Sequence, residues 1–255
     1  MRHVDILGVR LSNLAPDEAL ALLERTMDGE RPAEHRAVYI VNAHTLNLAW
    51  ESPAYRCALN RGFRVLADGT GARWAARLRG VRLKANLVGT DLVPALLGRS
   101  CADSRRYFLL GADAATIARA ADYAACAFPH WTLAGYHHGY VQEAASAGRV
   151  IALINRSRPD LLLVGMGNPL QELWIDRHRD GLQVPLSIGV GGLFDHWAGT
   201  LVRAPRWVRK LGCEWAQLML QQPHKWRRYL FGNPRFLARV LRTARVEHTR
   251  VLSPE

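Results

Sequence analysis

Asp68 closes an apolar run, Arg64-Val65-Leu66-Ala67, and is followed at once by Gly69-Thr70-Gly71. A carboxylate at the end of a buried strand stands where an open sheet presents its ligand-binding edge, and it can take a proton from an attacking hydroxyl. Aspartate before glycine is equally a favoured turn and N-cap pair. Three more apolar runs end in glycine turns: Leu110-Gly111-Ala112, Val164-Gly165-Met166-Gly167-Asn168-Pro169 and Val190-Gly191-Gly192-Leu193-Phe194-Asp195. Glycine lets backbone N–H groups approach a phosphate, and helix N-termini favour negative charge, so four such turns together predict a nucleotide-type ligand. His137 and His138, in Gly135-Tyr136-His137-His138-Gly139-Tyr140, are secondary candidates that read first as loop hydrogen-bonders.

The motifs also exclude. Gly165-Met166-Gly167 and Gly189-Val190-Gly191-Gly192 lack the sixth-position glycine of a dinucleotide fingerprint, and no phosphate-binding loop ending in Gly-Lys-Ser/Thr occurs. With no His-Glu-x-x-His and no Asp-x-Asp, nothing predicts a bound metal. Cys57, Cys101, Cys126 and Cys213 form no close pair and are expected to be small buried hydrophobes.

The elements that must carry these turns follow from hydrophobic periodicity. Val38–Val41, Arg64–Ala67, Tyr107–Leu110, Leu161–Val164 and Leu186–Val190 are short apolar runs, separated by helical stretches such as Ala114–Phe128 and Ala144–Ser157. Doubly buried strands spaced by helices predict an α/β fold: a parallel, Rossmann-like sheet covered by helices on both faces. At 255 residues, 49% of them hydrophobic, the chain is expected to form one α/β core over 1–200. Residues 201–255 are expected to form a basic, aromatic-rich helical appendage. The net charge of +12 is concentrated there, with twelve Lys or Arg against three Glu from Arg203 onward. Leu211, Trp215, Leu218 and Gln222 share one helical stripe. Docking of this segment on the core and contact with an anionic membrane surface are both open readings. No apolar run reaches eighteen residues and the N-terminus has no secretory apolar region, so the expectation is a cytoplasmic protein, peripheral on the inner face of the membrane.

The order and spacing of Val41-Asn42-Ala43-His44-Thr45-Leu46-Asn47, Leu66-Ala67-Asp68-Gly69, Asn86-Leu87-Val88-Gly89-Thr90-Asp91-Leu92, Gly165-Met166-Gly167-Asn168-Pro169-Leu170-Gln171-Glu172, Gly189 to Asp195 and Arg203-Ala204-Pro205-x-Trp207 resemble the WecG/TagA/CpsF bacterial glycosyltransferases. The resemblance runs from about Asp5 to Leu241. It implies inverting transfer of a hexose or N-acetylhexosamine from a UDP-sugar to a polyprenyl-diphosphate-linked acceptor, in cell-wall polymer or exopolysaccharide synthesis, without a metal cofactor. Asp68 matches the family's general base, and Asn42 stands beside it, at a position where many members carry threonine. Gln171, Glu172, Gly191, Gly192 and Asp195 match nucleotide- or sugar-binding positions, and Glu172 can alternatively serve the dipole at a helix start. Thr90, Asp91, Gly111 and Gly167 complete the expected pocket. Arg203, Lys225 and Arg228 would neutralise the leaving diphosphate, with Arg209 and Arg227 as compensating charges, because Leu218 and Lys225 replace arginines of other members. Self-association is a further implication. The competing class is a non-catalytic basic protein binding nucleic acid or anionic membrane, but no nucleic-acid-binding signature supports it.

Overall fold

The computed structural model describes residues 3–28, 35–99, 105–141, 143–205, 214–221, 226 and 230–251. The chain opens with an antiparallel hairpin, β1 (His3–Ile6) and β2 (Val9–Ser12), turned at Leu7-Gly8, where both residues have positive φ. Helix α1 (Pro16–Met27) follows, its start fixed by Pro16 and by the Glu18 carboxylate, which accepts the Ala15 N–H at 2.8 Å.

Next come β3 (Arg36–Val41), α2 (Ala43–Glu51), α3 (Pro53–Arg61), β4 (Arg64–Ala67), α4 (Gly69–Leu78), α5 (Gly89–Leu97), β5 (Arg106–Gly111) and α6 (Ala114–Ala127). After them lie β6 (Thr132–His137), α7 (Ala144–Ser157), β7 (Leu161–Gly165), α8 (Leu170–His178), β8 (Leu186–Gly189) and α9 (Leu193–Trp197). Six strands form one parallel sheet in the order β4-β3-β8-β7-β5-β6. Two of its members differ from the sequence expectation: β6 was not foreseen, and the run predicted to Val190 pairs only as far as Gly189.

Alternate side chains along each inner strand enter opposite cores. Tyr39, Val41, Phe108, Leu110, Leu162 and Val164 join one buried cluster, while Val38, Ile40, Tyr107, Leu109, Leu161 and Leu163 join the other. This period of two, with both faces apolar, is why the strands read as unbroken hydrophobic runs. The first cluster is closed by residues of α2, α3, α4, α7 and α8, the second by residues of α1, α5, α6 and α9. The chain therefore leaves β3 and β7 towards one face and leaves β8, which lies between them, towards the other. Diverging loops open a crevice at the carboxyl end of β8, where ligands bind in sheets of this kind.

Among the described residues that follow are the helices α10 (Glu214–Gln221) and α11 (Gly232–Val251). α11 packs on α2 and α4. Its Phe236 and Val240 are each 1% exposed and belong to the first buried cluster. Each such burial contributes about 1.5–3 kcal/mol. Asn47 on α2 donates to the Gly232 carbonyl at 2.7 Å, and Arg239 reaches Asn47 Oδ1 at 2.9 Å and Glu51 at 2.6 Å. Leu211 and Gln222 of the expected apolar stripe lie outside the described residues.

Candidate active site at the carboxyl edge of the sheet

Strand register brings the candidate groups to one edge. Val41 pairs with Ala67, Tyr39 with Gly189, and Gly189 with Val164, so the turns that carry Asp68, Gly192 and Gly167 all leave the sheet at the same carboxyl edge. Asp68 is the N-cap residue of α4, yet its side chain makes no capping hydrogen bond. Its own N–H is held by the Val41 carbonyl at 2.8 Å, and the N–H of Gly69, at φ 88°, is bound by Asn86 Oδ1 at 2.5 Å. The carboxylate is thus fixed at its backbone and half-buried. Across from it, Asn42 spends its Oδ1 on the first turn of α2, accepting from the N–H groups of His44 at 3.0 Å and Thr45 at 3.3 Å. That acceptor is a helix cap.

Below the glycine turns lies a buried polar cluster. Glu172 is 0% exposed, and its carboxylate accepts from Tyr55 Oη at 2.9 Å, Asn168 Nδ2 at 2.6 Å and Gln171 Nε2 at 2.7 Å. Burial pushes its carboxyl above the usual carboxylate range, while these hydrogen bonds pull it back. Burial and the neighbouring carboxylate likewise push the Tyr55 hydroxyl far up, so Tyr55 stays a neutral donor. Gln171, 1% exposed, turns its Oε1 to the N–H of Gly191 at 3.0 Å. Gln171 and Glu172 therefore sit beneath the turns rather than at their surface, and one of the N–H groups foreseen for phosphate, that of Gly191, is already bound from below. The open backbone lies at Gly167 (φ 80°) and Gly191 (φ 57°), where no atom stands within 4 Å of a would-be Cβ. Asp195 Oδ2 is 3.4 Å from the Cβ position of Gly192, which puts a second carboxylate beside that turn.

The sequence profile of the Glycosyl transferase WecG/TagA/CpsF family matches residues 4–250. This chain belongs to that family. It is 34% identical over 191 residues, 75% of this chain and 73% of the relative, to the N-acetylglucosaminyldiphosphoundecaprenol N-acetyl-beta-D-mannosaminyltransferase of Bacillus subtilis (strain 168). A protein of the same name from Staphylococcus aureus (strain MW2) is 31% identical over 247 residues, 95% of this chain and 93% of the relative. The chain is a glycosyltransferase, and the reading as a non-catalytic basic protein gives way.

In this glycosyltransferase the remaining foreseen residues fall into three groups. Arg203 meets Asp91 through both guanidinium nitrogens, at 2.5 and 3.0 Å, and also the Thr90 carbonyl at 3.1 Å. The pair ties the segment after Leu201 to the start of α5. Gly111 serves packing: at φ 152°, a Cβ would stand 2.2 Å from the Gly165 carbonyl oxygen. His137 and His138 stack at 4.2 Å at the far edge of the sheet, where His138 Nδ1 accepts the Tyr140 N–H at 3.3 Å and its carbonyl pairs with His137 Nδ1 at 2.9 Å. Lys225, Arg228, Arg209 and Arg227 lie outside the described residues, as does the Leu218 side chain. Among the described residues no group of three His, Cys, Asp or Glu is placed to hold a metal ion.

Sequence reasoning missed Tyr55, 117 residues away from the Glu172 it holds, and Asn86 and Asn168 as site residues, although both asparagines stand inside the motifs that carry the family resemblance. The two kinds of glycine give opposite expectations. Gly111→Ala drives a methyl into backbone and lowers stability by more than about 3 kcal/mol, whereas Gly192→Ala, whose nearest neighbour is a carboxylate at 3.4 Å, stays within about 1 kcal/mol. Urea titrations of both variants decide this; equal losses would mean the turns do not differ as described.

Proposed function

We propose that this enzyme transfers an N-acetylhexosaminyl unit, N-acetylmannosaminyl by likeness to its relatives, from a UDP-sugar to an N-acetylglucosaminyl-diphosphate polyprenol, with inversion. The observation that carries the reading is Asp68, anchored at the start of α4 without capping it, at the same edge as the open glycine turns. Its carboxylate takes the proton of the acceptor hydroxyl as that oxygen attacks the anomeric carbon. The bond from that carbon to the diphosphate oxygen breaks on the opposite side, and UDP leaves with the electron pair. The basic residues from Arg203 onward, Lys225 and Arg228 among them, offset the charge of the departing diphosphate, so no metal is needed. Asn42, as cap of α2, and Gln171 with Glu172, beneath the turns, act by positioning.

The polyprenyl acceptor places the reaction at a membrane. Among the described residues no helix is long and apolar enough to cross one. Leu230, Phe231, Leu237 and Leu241 are nevertheless exposed, the latter two one turn apart on α11, interleaved with exposed Arg235 and Arg242. An apolar strip bordered by arginines fits peripheral contact with the anionic inner leaflet, and the same strip offers a surface for self-association away from lipid.

Two measurements bear on this. Asp68→Asn, which keeps the size of the side chain, lowers acceptor-dependent UDP release by about 10²–10⁴-fold; turnover near the wild-type rate would remove Asp68 from the base role. In co-sedimentation, wild type binds vesicles containing phosphatidylglycerol but not pure phosphatidylcholine, and Phe231→Ser with Leu237→Ser weakens that binding by roughly tenfold. Equal binding to both lipids, or an indifferent variant, would contradict the membrane reading.

A further inference from the structure

Hydrogen bonds fix which way two amides face. The Gly191 N–H donates to Gln171 Oε1 at 3.0 Å, which leaves the Gln171 Nε2 to donate to Glu172 Oε1 at 2.7 Å, and Asn168 donates its Nδ2 to that same oxygen at 2.6 Å. For Asn168 the consequence is an oxygen aimed the other way, out of the cluster. No described group donates to Asn168 Oδ1, and this oxygen is not among the buried polar atoms left unpaired, so it is open to solvent, one residue from the uncrowded Gly167. Gly167 lies at the same carboxyl edge as Asp68 but three strands away, about 14 Å at ~4.8 Å per strand. That exceeds the reach of the sugar being transferred, and the diphosphate that follows it has no hydrogen to give an acceptor oxygen, so the part of a sugar nucleotide that can donate to Asn168 Oδ1 is its nucleoside.

We infer that Asn168 is a specificity-determining residue for the donor, its Oδ1 accepting a hydrogen bond from an uncharged N–H or O–H of the nucleoside, with Glu172 as the positioning residue that holds the amide in that sense. This rests on the reading of the donor as a UDP-sugar. Two nucleoside groups have this chemistry, the uracil N3–H and a ribose hydroxyl. At the first, a cytosine would present an unprotonated N3 to the oxygen, acceptor against acceptor, so a fixed Asn168 oxygen selects uracil. A site built around one hydrogen bond rejects the analogue lacking the matching group more strongly than an apolar pocket rejects a change of size.

The test is calorimetric binding of UDP, CDP and 2′-deoxy-UDP to wild type, Asn168→Ala and Asn168→Ser, each checked for a native near-ultraviolet spectrum. Wild type is expected to prefer UDP to CDP, and both variants to lose about tenfold in UDP affinity while CDP changes less than about twofold, collapsing the ratio; tenfold corresponds to about 1.4 kcal/mol. If instead the UDP to 2′-deoxy-UDP ratio collapses, the partner is the ribose hydroxyl and the inference stands with that source. Equal losses for all three nucleotides, or no loss, would overturn it while leaving the donor reading intact. A wild-type protein that binds none of them would overturn both.

Discussion

The buried Glu172 carboxylate is the interaction on which the site depends. Removing a carboxylate from water costs several kcal/mol, and among the described residues no cation pairs with it. Three neutral donors offset that cost, and each comes from a different place: Tyr55 from α3, Asn168 from the turn after β7, Gln171 from the first turn of α8. Through Gln171 the cluster also reaches Gly191, beyond β8. One carboxyl group thus fixes the two glycine turns to each other and to a helix on the same face. The position of Glu172 in the first turn of α8 adds the favourable end of the helix dipole.

Around this cluster the sheet supplies the crevice, and Asp68 stands at the start of α4. Because β8 sends its chain to the opposite face from β3 and β7, backbone at Gly167 and Gly191 is left open at the carboxyl edge. Asp68 lies at that same edge, and α4 is in turn braced by α11. The Phe236 ring lies within 3.6 Å of a Cβ built on Gly71, in the first turn beyond Asp68. The last described helix is therefore part of what holds Asp68 in place, and its outer strip of Leu237 and Leu241 remains exposed.

Much of this was legible because it is local. The runs at β3, β5 and β7 are apolar on both faces, which identified a covered parallel sheet, and Ala67-Asp68-Gly69 and Val190-Gly191-Gly192 marked turns that the structure gathers at its carboxyl edge. β6 escaped notice because Thr132–His137 is an edge strand with mixed exposure and little apolar content. The β1–β2 hairpin escaped because strands of four residues carry too few alternations to read. Contacts between distant residues were beyond reach. Nothing near Glu172 signals Tyr55, and nothing near Asp91 signals Arg203, 112 residues on, so residues assigned to substrate by motif prove to be bonded to one another. The glycines could not be told apart for the same reason, since only tertiary packing separates one that a backbone crowds, Gly111, from one that faces open space, Gly167.

The most direct test of metal-independent, inverting transfer at this edge is the stereochemistry of the product. UDP-α-N-acetylmannosamine and a short-chain N-acetylglucosaminyl-diphosphate polyprenol would be incubated with the enzyme in excess EDTA, and the new anomeric centre read by NMR. A β-linked product, formed at the same rate with and without chelator, is the result this account predicts. An α-linked product, or transfer that stops when divalent ions are removed, would contradict it.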